Sequence, residues 1–235
     1  MSLILFKPTF PNLYSGPVFF DSASSSAYQA ALSIYSWSHT TSGTNRGLIV
    51  NVSIFATGSV TGITYNGVAM TSVRADANGA YRNEVWKLAN PALGANTVEV
   101  TLSVSLTSIA NASSWTGVDQ TDIVEANAGA NGSGTDATVD VTTVSNNTYV
   151  VAGASIQDTA VTPTSPLRQR VNNTGALGSG VVGDSIIKVT AGAVTSTWTD
   201  IAALQSWAIG AVALKPFTVS AAVYNALRQM MGMGL

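Results

Sequence analysis

The stretch 47–74, GLIVNVSIFATGSVTGITYNGVAMTSVR, constrains the fold more than any other part of the chain. Asn66-Gly67 lies between apolar-rich runs, and this dipeptide accepts the positive φ values that a two-residue type I′ turn requires. Closing the hairpin there pairs Tyr65 with Val68 and Ile63 with Met70. Directly opposed residues share a face, so these four side chains fall on one side and Thr64, Ala69 and Thr71 on the other. A β signal this strong sets the expectation for the rest of the sequence.

Composition agrees with it. Charged residues are 9% of the 235 residues, against roughly 25% in an average soluble protein. The polar surface therefore comes mainly from Ser, Thr, Asn and Gln, which suit strands and turns. Hydrophobic residues make up 46% and are patterned rather than blocked, which argues against disorder. The net charge is −2 and the 10 basic residues are scattered, so no basic stripe exists to neutralise phosphates and nucleic acid is excluded as a partner. The chain has no cysteine, which removes disulfides, thiolate metal sites and cysteine nucleophiles. Leu3, Ile4, Leu5 and Phe6 are followed by Lys7 and Pro8, a run shorter than the roughly 7–15 residues of a signal-peptide core. No run approaches the roughly 20 apolar residues of a membrane span.

Taken in order, residues 1–28 read as an extended arm. Pro8, Pro11 and Pro17 oppose regular structure there, while Leu3, Leu5, Phe6, Phe10, Phe19 and Phe20 are too apolar for a solvated tail. Residues 29–216 read as one β domain, with strands expected near 32–39, 48–55, 81–88, 97–104, 109–118, 138–144, 149–156, 182–190, 194–199 and 206–214. Val98, Val100, Leu102 and Val104 alternate cleanly with Thr97, Glu99, Thr101 and Ser103. AGANGSGTD (128–136) reads as a flexible loop. Short strands at close spacing without helical patterns argue for an all-β, antiparallel β-sandwich of the jelly-roll type. Residues 217–235 form a tail in which Val219, Val223, Ala226, Leu227 and Met230 fall on one helical face, predicting a short amphipathic helix over 219–231 ended by Gly232.

The candidates for chemistry are few. His39 is the one histidine, at a strand end, and no G-x-S-x-G elbow accompanies it, so a hydrogen-bonded strand-end role is expected. Gly178-Ser179-Gly180-Val181-Val182-Gly183 matches G-x-G-x-x-G, but DSIIKVT, a strand pattern, follows where a dinucleotide site needs a helix, so the motif reads as a Gly-rich β loop. Asp119, Asp122 and Glu125 form the closest carboxylate group and the best calcium candidate, in a spacing that is not an EF-hand. Trp37, Trp86, Trp115, Trp198 and Trp207 all lie on predicted strands, where core packing is expected over sugar stacking for most of them. The sequons at Asn51, Asn111, Asn131, Asn146 and Asn172 are what a chain rich in Asn, Ser and Thr produces by chance. No catalytic, cofactor-binding or metal-binding residue is assigned.

SHTTSGTNRGLIVNVS (38–53), VTGITYNGVAMTSV (60–73), VWKLANPALGANTVEVTLS (85–103), SSWTGVDQTDIVEA (113–126), TSTWT (195–199) and WAIGAVALKP (207–216) together resemble a recurrent β-sandwich module of phage virion proteins and bacterial surface proteins. These motifs are strand and turn residues, so the resemblance implies a jelly-roll or lectin-like architecture and carries no catalytic residue. Unlike the multidomain surface proteins, this chain is a single module flanked by apolar extensions, which suits a self-assembling particle.

The resemblance implies structural or adhesive work; the apolar extensions and the want of an evident signal peptide then favour a non-enzymatic structural protein of a bacteriophage virion, made in the host cytoplasm, either a capsid decoration or minor capsid subunit or a tail-fibre component. Its partners would be copies of itself and other virion subunits. The expected assembly anchors are Leu3, Leu5 and Phe6 in the arm, and Val219, Val223, Leu227, Met230 and Met231 in the tail. The alternative is a carbohydrate-binding or adhesion module that recognises surface glycans.

Overall fold

The computed structural model describes residues 13–220 together with 229 and 230. In chain order the strands are β1 (Leu13–Ser15), β2 (Phe19–Thr41), β3 (Gly47–Phe55), β4 (Val60–Tyr65), β5 (Val68–Ala69), β6 (Thr71–Asn78), β7 (Tyr81–Ala89) and β8 (Gly94–Thr116). They continue with β9 (Val124–Ser133), β10 (Ala137–Thr142), β11 (Val150–Ile156), β12 (Thr162–Thr164), β13 (Arg168–Gly175), β14 (Gly178–Asp184), β15 (Ala193–Thr199), β16 (Ser206–Leu214) and β17 (Thr218–Ser220). Every pairing is antiparallel, so the all-β expectation holds.

The hairpin at Asn66-Gly67 forms as its turn chemistry requires. Both residues have positive φ, 50° and 76°, Tyr65 faces Val68, and the Met70 N–H donates to the Ile63 carbonyl. Ile63, Tyr65 and Met70 are buried; Val68, at the turn, is exposed.

That hairpin helps close a barrel. β8 pairs with β2 along one side; on the other it pairs with β3 through its C-terminal half and with β4 through its N-terminal half. β4 pairs with β5, only Met70 separates β5 from β6, β6 pairs with β7, and β7 pairs with β3. The long β2–β8 ribbon bends over this ring where its register shifts between Ser25 and Ile34, with Ala27 and Ala31 at positive φ. Two contacts then tie the ends of β2 together: the backbone N–H of Ser42, just past the strand, donates to Asp21, and Ser24 Oγ lies 2.8 Å from His39 Nδ1. The sheet is thereby nearly closed, and Tyr35, Leu48, Val50, Val52, Ile54, Ile63, Tyr65, Trp86, Val98 and Val100 fill its interior.

A five-stranded sheet, ordered β13-β14-β11-β16-β9, packs on the outside of the β8-β3-β7-β6 wall. A three-stranded sheet, β10-β15-β12, covers its far side over Val139, Val150, Ala152, Ile156, Trp198 and Ile209. β3 and β11 are therefore buried on both faces along their whole length, and apart from Asn51 both read as continuous runs of small and apolar residues.

Between the barrel wall and the five-stranded sheet the approach is unusually close. Ser53 Oγ donates to the Ala154 carbonyl at 3.0 Å, and Ser155 Oγ donates back to the Ile54 carbonyl at 3.2 Å. A serine side chain thus spans a gap that larger residues hold open at about 10 Å in other stacked sheets. Gly153, Gly210 and Gly129 lie directly side by side on β11, β16 and β9 and make the approach possible. A Cβ on Gly153 would overlap Asn51, and one on Gly129 would overlap the Arg74–Asp76 ion pair.

Several expectations need correction here. The segment 128–136, read as a flexible loop, supplies much of strand β9, because its glycines accommodate Arg74, Asp76 and Trp207 opposite. GSGVVG is likewise the buried strand β14, and the strand expected at 182–190 ends at Asp184, leaving Ile186 and Val189 exposed. The strands expected at 97–104 and 109–118 are one bent 23-residue strand, β8, and Val104 at its bend is exposed. Residues 19–28 of the expected arm are the first part of β2, and residues 1–12 lie outside the described residues. The expected tail helix does not begin at Val219, which pairs with Tyr14 in the β1–β17 ribbon. Gln229 and Met230 are helical, and 221–228 and 231–235 lie outside the described residues.

Candidate functional site

The barrel and the five-stranded sheet share one long axis, and their two ends differ. At one end β1 pairs with β17, Val118 bridges to Pro216, and the chain enters and leaves side by side. β16, nine residues long, starts at the other end with Ser206 and reaches this one at Leu214, a span of roughly 25 Å.

At that far end four connections converge on an open cleft of about 420 Å³. Tyr81 enters from the start of β7, Gln157, Asp158 and Thr159 from the segment after β11, Leu177 and Gly178 from the β13–β14 turn, and Ala202 and Gln205 from the segment before β16. The side chains are held in place from behind. The Tyr81 ring meets Phe55 edge-on at 5.9 Å, Phe55 stacks on Tyr28, and the Tyr81 hydroxyl donates to the Leu177 carbonyl at 2.9 Å. The Asp158 carboxylate accepts backbone N–H groups from Ala202 at 2.7 Å, Thr159 at 2.6 Å and Ala160 at 3.1 Å. Those bonds, the one from Ala202 foremost, hold its carboxyl below the usual range. Gln157 Oε1 accepts the Ser206 N–H at 3.0 Å, which leaves its amide nitrogen as an oriented donor. At Gly178, φ 149°, a Cβ would collide with the Ile156 carbonyl.

The sequence candidates fall elsewhere. His39 is buried in the barrel seam. Ser24 Oγ, which also accepts the Trp37 indole N–H at 2.9 Å, bonds its Nδ1, while Nε2 makes no hydrogen bond with any described residue. Burial lowers its pKa to about 4, opposed by Asp21 nearby, so the ring is neutral. The Ser24–His39 pair has the elements of a dyad, yet the imidazole is 1% exposed and no substrate can reach it.

Asp119, Asp122 and Glu125 do not converge. Asp119 accepts from Thr121 and the Asp122 N–H and lies 3.5 Å from Lys215; Asp122 pairs with Lys87 at 2.5 Å; Glu125 accepts the N–H groups of Val144 and Ser145. Among the described residues no group of three metal-ligating side chains occurs. Asn51 and Asn111 are buried between strands, so neither sequon is available for glycosylation. Trp86, Trp115 and Trp198 are buried, and Trp37 and Trp207, partly buried, pack against the cores, in line with the packing role expected of most of them.

Comparison with protein-family models, curated proteins and solved structures finds no match to this chain.

The chain also builds a charged cluster that no sequence motif announces. Asp184, with no exposed surface, takes Arg168 at 2.7 Å and Arg170 as a second partner. The Arg170 guanidinium sits 3.8 Å over the Phe20 ring, and Phe20 meets Trp115 edge-on. One buried carboxylate thus fixes two arginines, one of them against an aromatic face, at the sheet end nearer the chain termini. No helix among the described residues is long and apolar enough to cross a membrane.

Proposed function

We propose that the protein is a non-enzymatic structural subunit of a bacteriophage virion, attached through its two terminal extensions. The observation that carries this reading is the polarity of the body: both chain ends leave together beside β1 and β17, at the end opposite the cleft. A module tethered at one end leaves its other end free, which suits a capsid decoration or tail-fibre subunit. In this reading the stacked sheets are a jelly-roll variant, as the segments resembling virion and surface modules imply. Leu3, Leu5, Phe6, Val223, Leu227, Met230 and Met231 remain the proposed anchors; Val219, paired in β17, supports the base of the tail instead.

Removal of residues 217–235 tests the reading by light scattering after size-exclusion chromatography. The expected product is folded but no longer assembles with itself. Because that deletion also removes β17, a second variant, Val223→Asp with Leu227→Asp, keeps the ribbon and alters only the tail. Undiminished self-assembly in both variants refutes the proposal.

A further inference from the structure

We infer that the cleft at the free end is a binding subsite for a neutral saccharide. The inference goes beyond the virion reading and holds wherever the module is mounted.

A ligand that binds here meets one aromatic ring, Tyr81; one carboxylate, Asp158; carboxamides from Gln157 and Gln205; and the Thr159 hydroxyl. No Lys or Arg lines it, and Asp158 is kept ionised by its three backbone donors, so an anionic ligand is disfavoured. A purely apolar ligand would strand the amide and carboxylate groups without partners. A polyol with apolar C–H faces satisfies both demands: its hydroxyls donate to Asp158 and accept from Gln157 and Gln205, and a C–H face lies against Tyr81.

Preorganisation strengthens the case. Tyr81 is fixed by Phe55 and the Leu177 carbonyl, Asp158 by Ala202, and Gln157 by Ser206, so binding orders few side chains. Gln205 is the exception, since its carboxamide bonds to no described residue and is available for the ligand. Asp158 is the one acid among the lining residues. Glycoside hydrolysis uses two carboxylates across the bond, so the cleft fits capture rather than cleavage.

The test is a titration of the full chain, followed by amide NMR, with the methyl glycosides of glucose, galactose and mannose, with N-acetylglucosamine, with glucuronate, and with short oligosaccharides of the neutral sugars. The expected result is saturable shifts at Tyr81, Gln157, Asp158, Leu177 and Gln205 for at least one neutral sugar, with a dissociation constant around millimolar. Gln205→Ala weakens that binding at least about fivefold without changing the melting temperature. Tighter binding of the oligosaccharide assigns the cleft to the interior of a glycan chain, and equal binding assigns it to a terminal residue.

Silence towards every neutral sugar up to about 100 mM overturns the inference, given that ligands this weak are rarely specific. So does preference for glucuronate, or unchanged binding by Gln205→Ala. Failure here leaves the assembly test of the tail unaffected.

Discussion

His39 makes the barrel seam sensitive to acid, and the size of the effect follows from its burial. The imidazole is 1% exposed, its Nε2 has no partner among the described residues, and its pKa falls from 6.5 to about 4. Below pH 6.5 the unfolded chain takes up a proton that the folded chain refuses until about pH 4. The unfolded state therefore binds more protons across this window, and stability is lost as pH falls through it. Each pH unit is worth about 1.4 kcal/mol, so the window amounts to about 3 kcal/mol. For a domain stabilised by roughly 5–15 kcal/mol that is a large share.

The perturbation is His39→Gln, which keeps a polar group beside Ser24 but cannot titrate. Urea unfolding of both proteins between about pH 7 and pH 4 gives the two stability profiles. Asp119, Asp122 and Asp158, all held below the usual carboxylate range by groups other than His39, contribute acid sensitivity to both proteins and drop out of the difference; Asp21, which faces His39, does not, and its own titration adds to the difference only at the acid end of the window. The wild type is expected to lose about 3 kcal/mol more than the variant across the window, starting near pH 6.5. Parallel profiles refute the reasoning and mean that the seam opens to water before the imidazole charges.

Gly153→Ala forces a methyl group into Asn51 and is expected to cost about 1–3 kcal/mol by thermal unfolding, part of it recovered when Asn51→Ala is added. Asp184→Asn leaves Arg168 and Arg170 without their shared carboxylate, and the expected loss in urea unfolding is about 3 kcal/mol. Gly67→Val places a β-branched residue at φ 76° in the two-residue hairpin turn; a loss of about 1–2 kcal/mol is expected, with no change in the oligomeric state.

The sequence was most legible where the controlling interactions are local. Asn66-Gly67 announces its turn because both residues must reach positive φ, and nothing distant is needed to know it. Strands β9 and β14 were hidden for the opposite reason. Their glycines look like loop residues, and only the sheet across the gap, with Arg74 and Asp76 pressing on β9 and Ser53 and Ile109 on β14, explains why a strand carries no side chain there. β2 was half concealed because its first part, FFDSASSSA, has no clean alternation and gains its place from pairing with Asn111, Ser113 and Trp115 in β8. The cleft left no signal at all. Tyr81, Gln157, Leu177 and Gln205 come from four separate connections, none of which forms a motif.

The placement of the chain ends also decides how the molecule bears load. β1 and β17 are antiparallel, and Leu13 and Ser220, facing each other, are where both extensions depart. Pulling the two extensions apart peels this three-pair ribbon one pair at a time, like opening a zip. Tension between the tethered end and the cleft instead runs along β3, β11 and β16, where ladder hydrogen bonds and the Ser53 and Ser155 clamps resist sliding together. In a force-spectroscopy experiment the second geometry is expected to yield at markedly higher force than the first; equal forces would show that the body does not act as a strut.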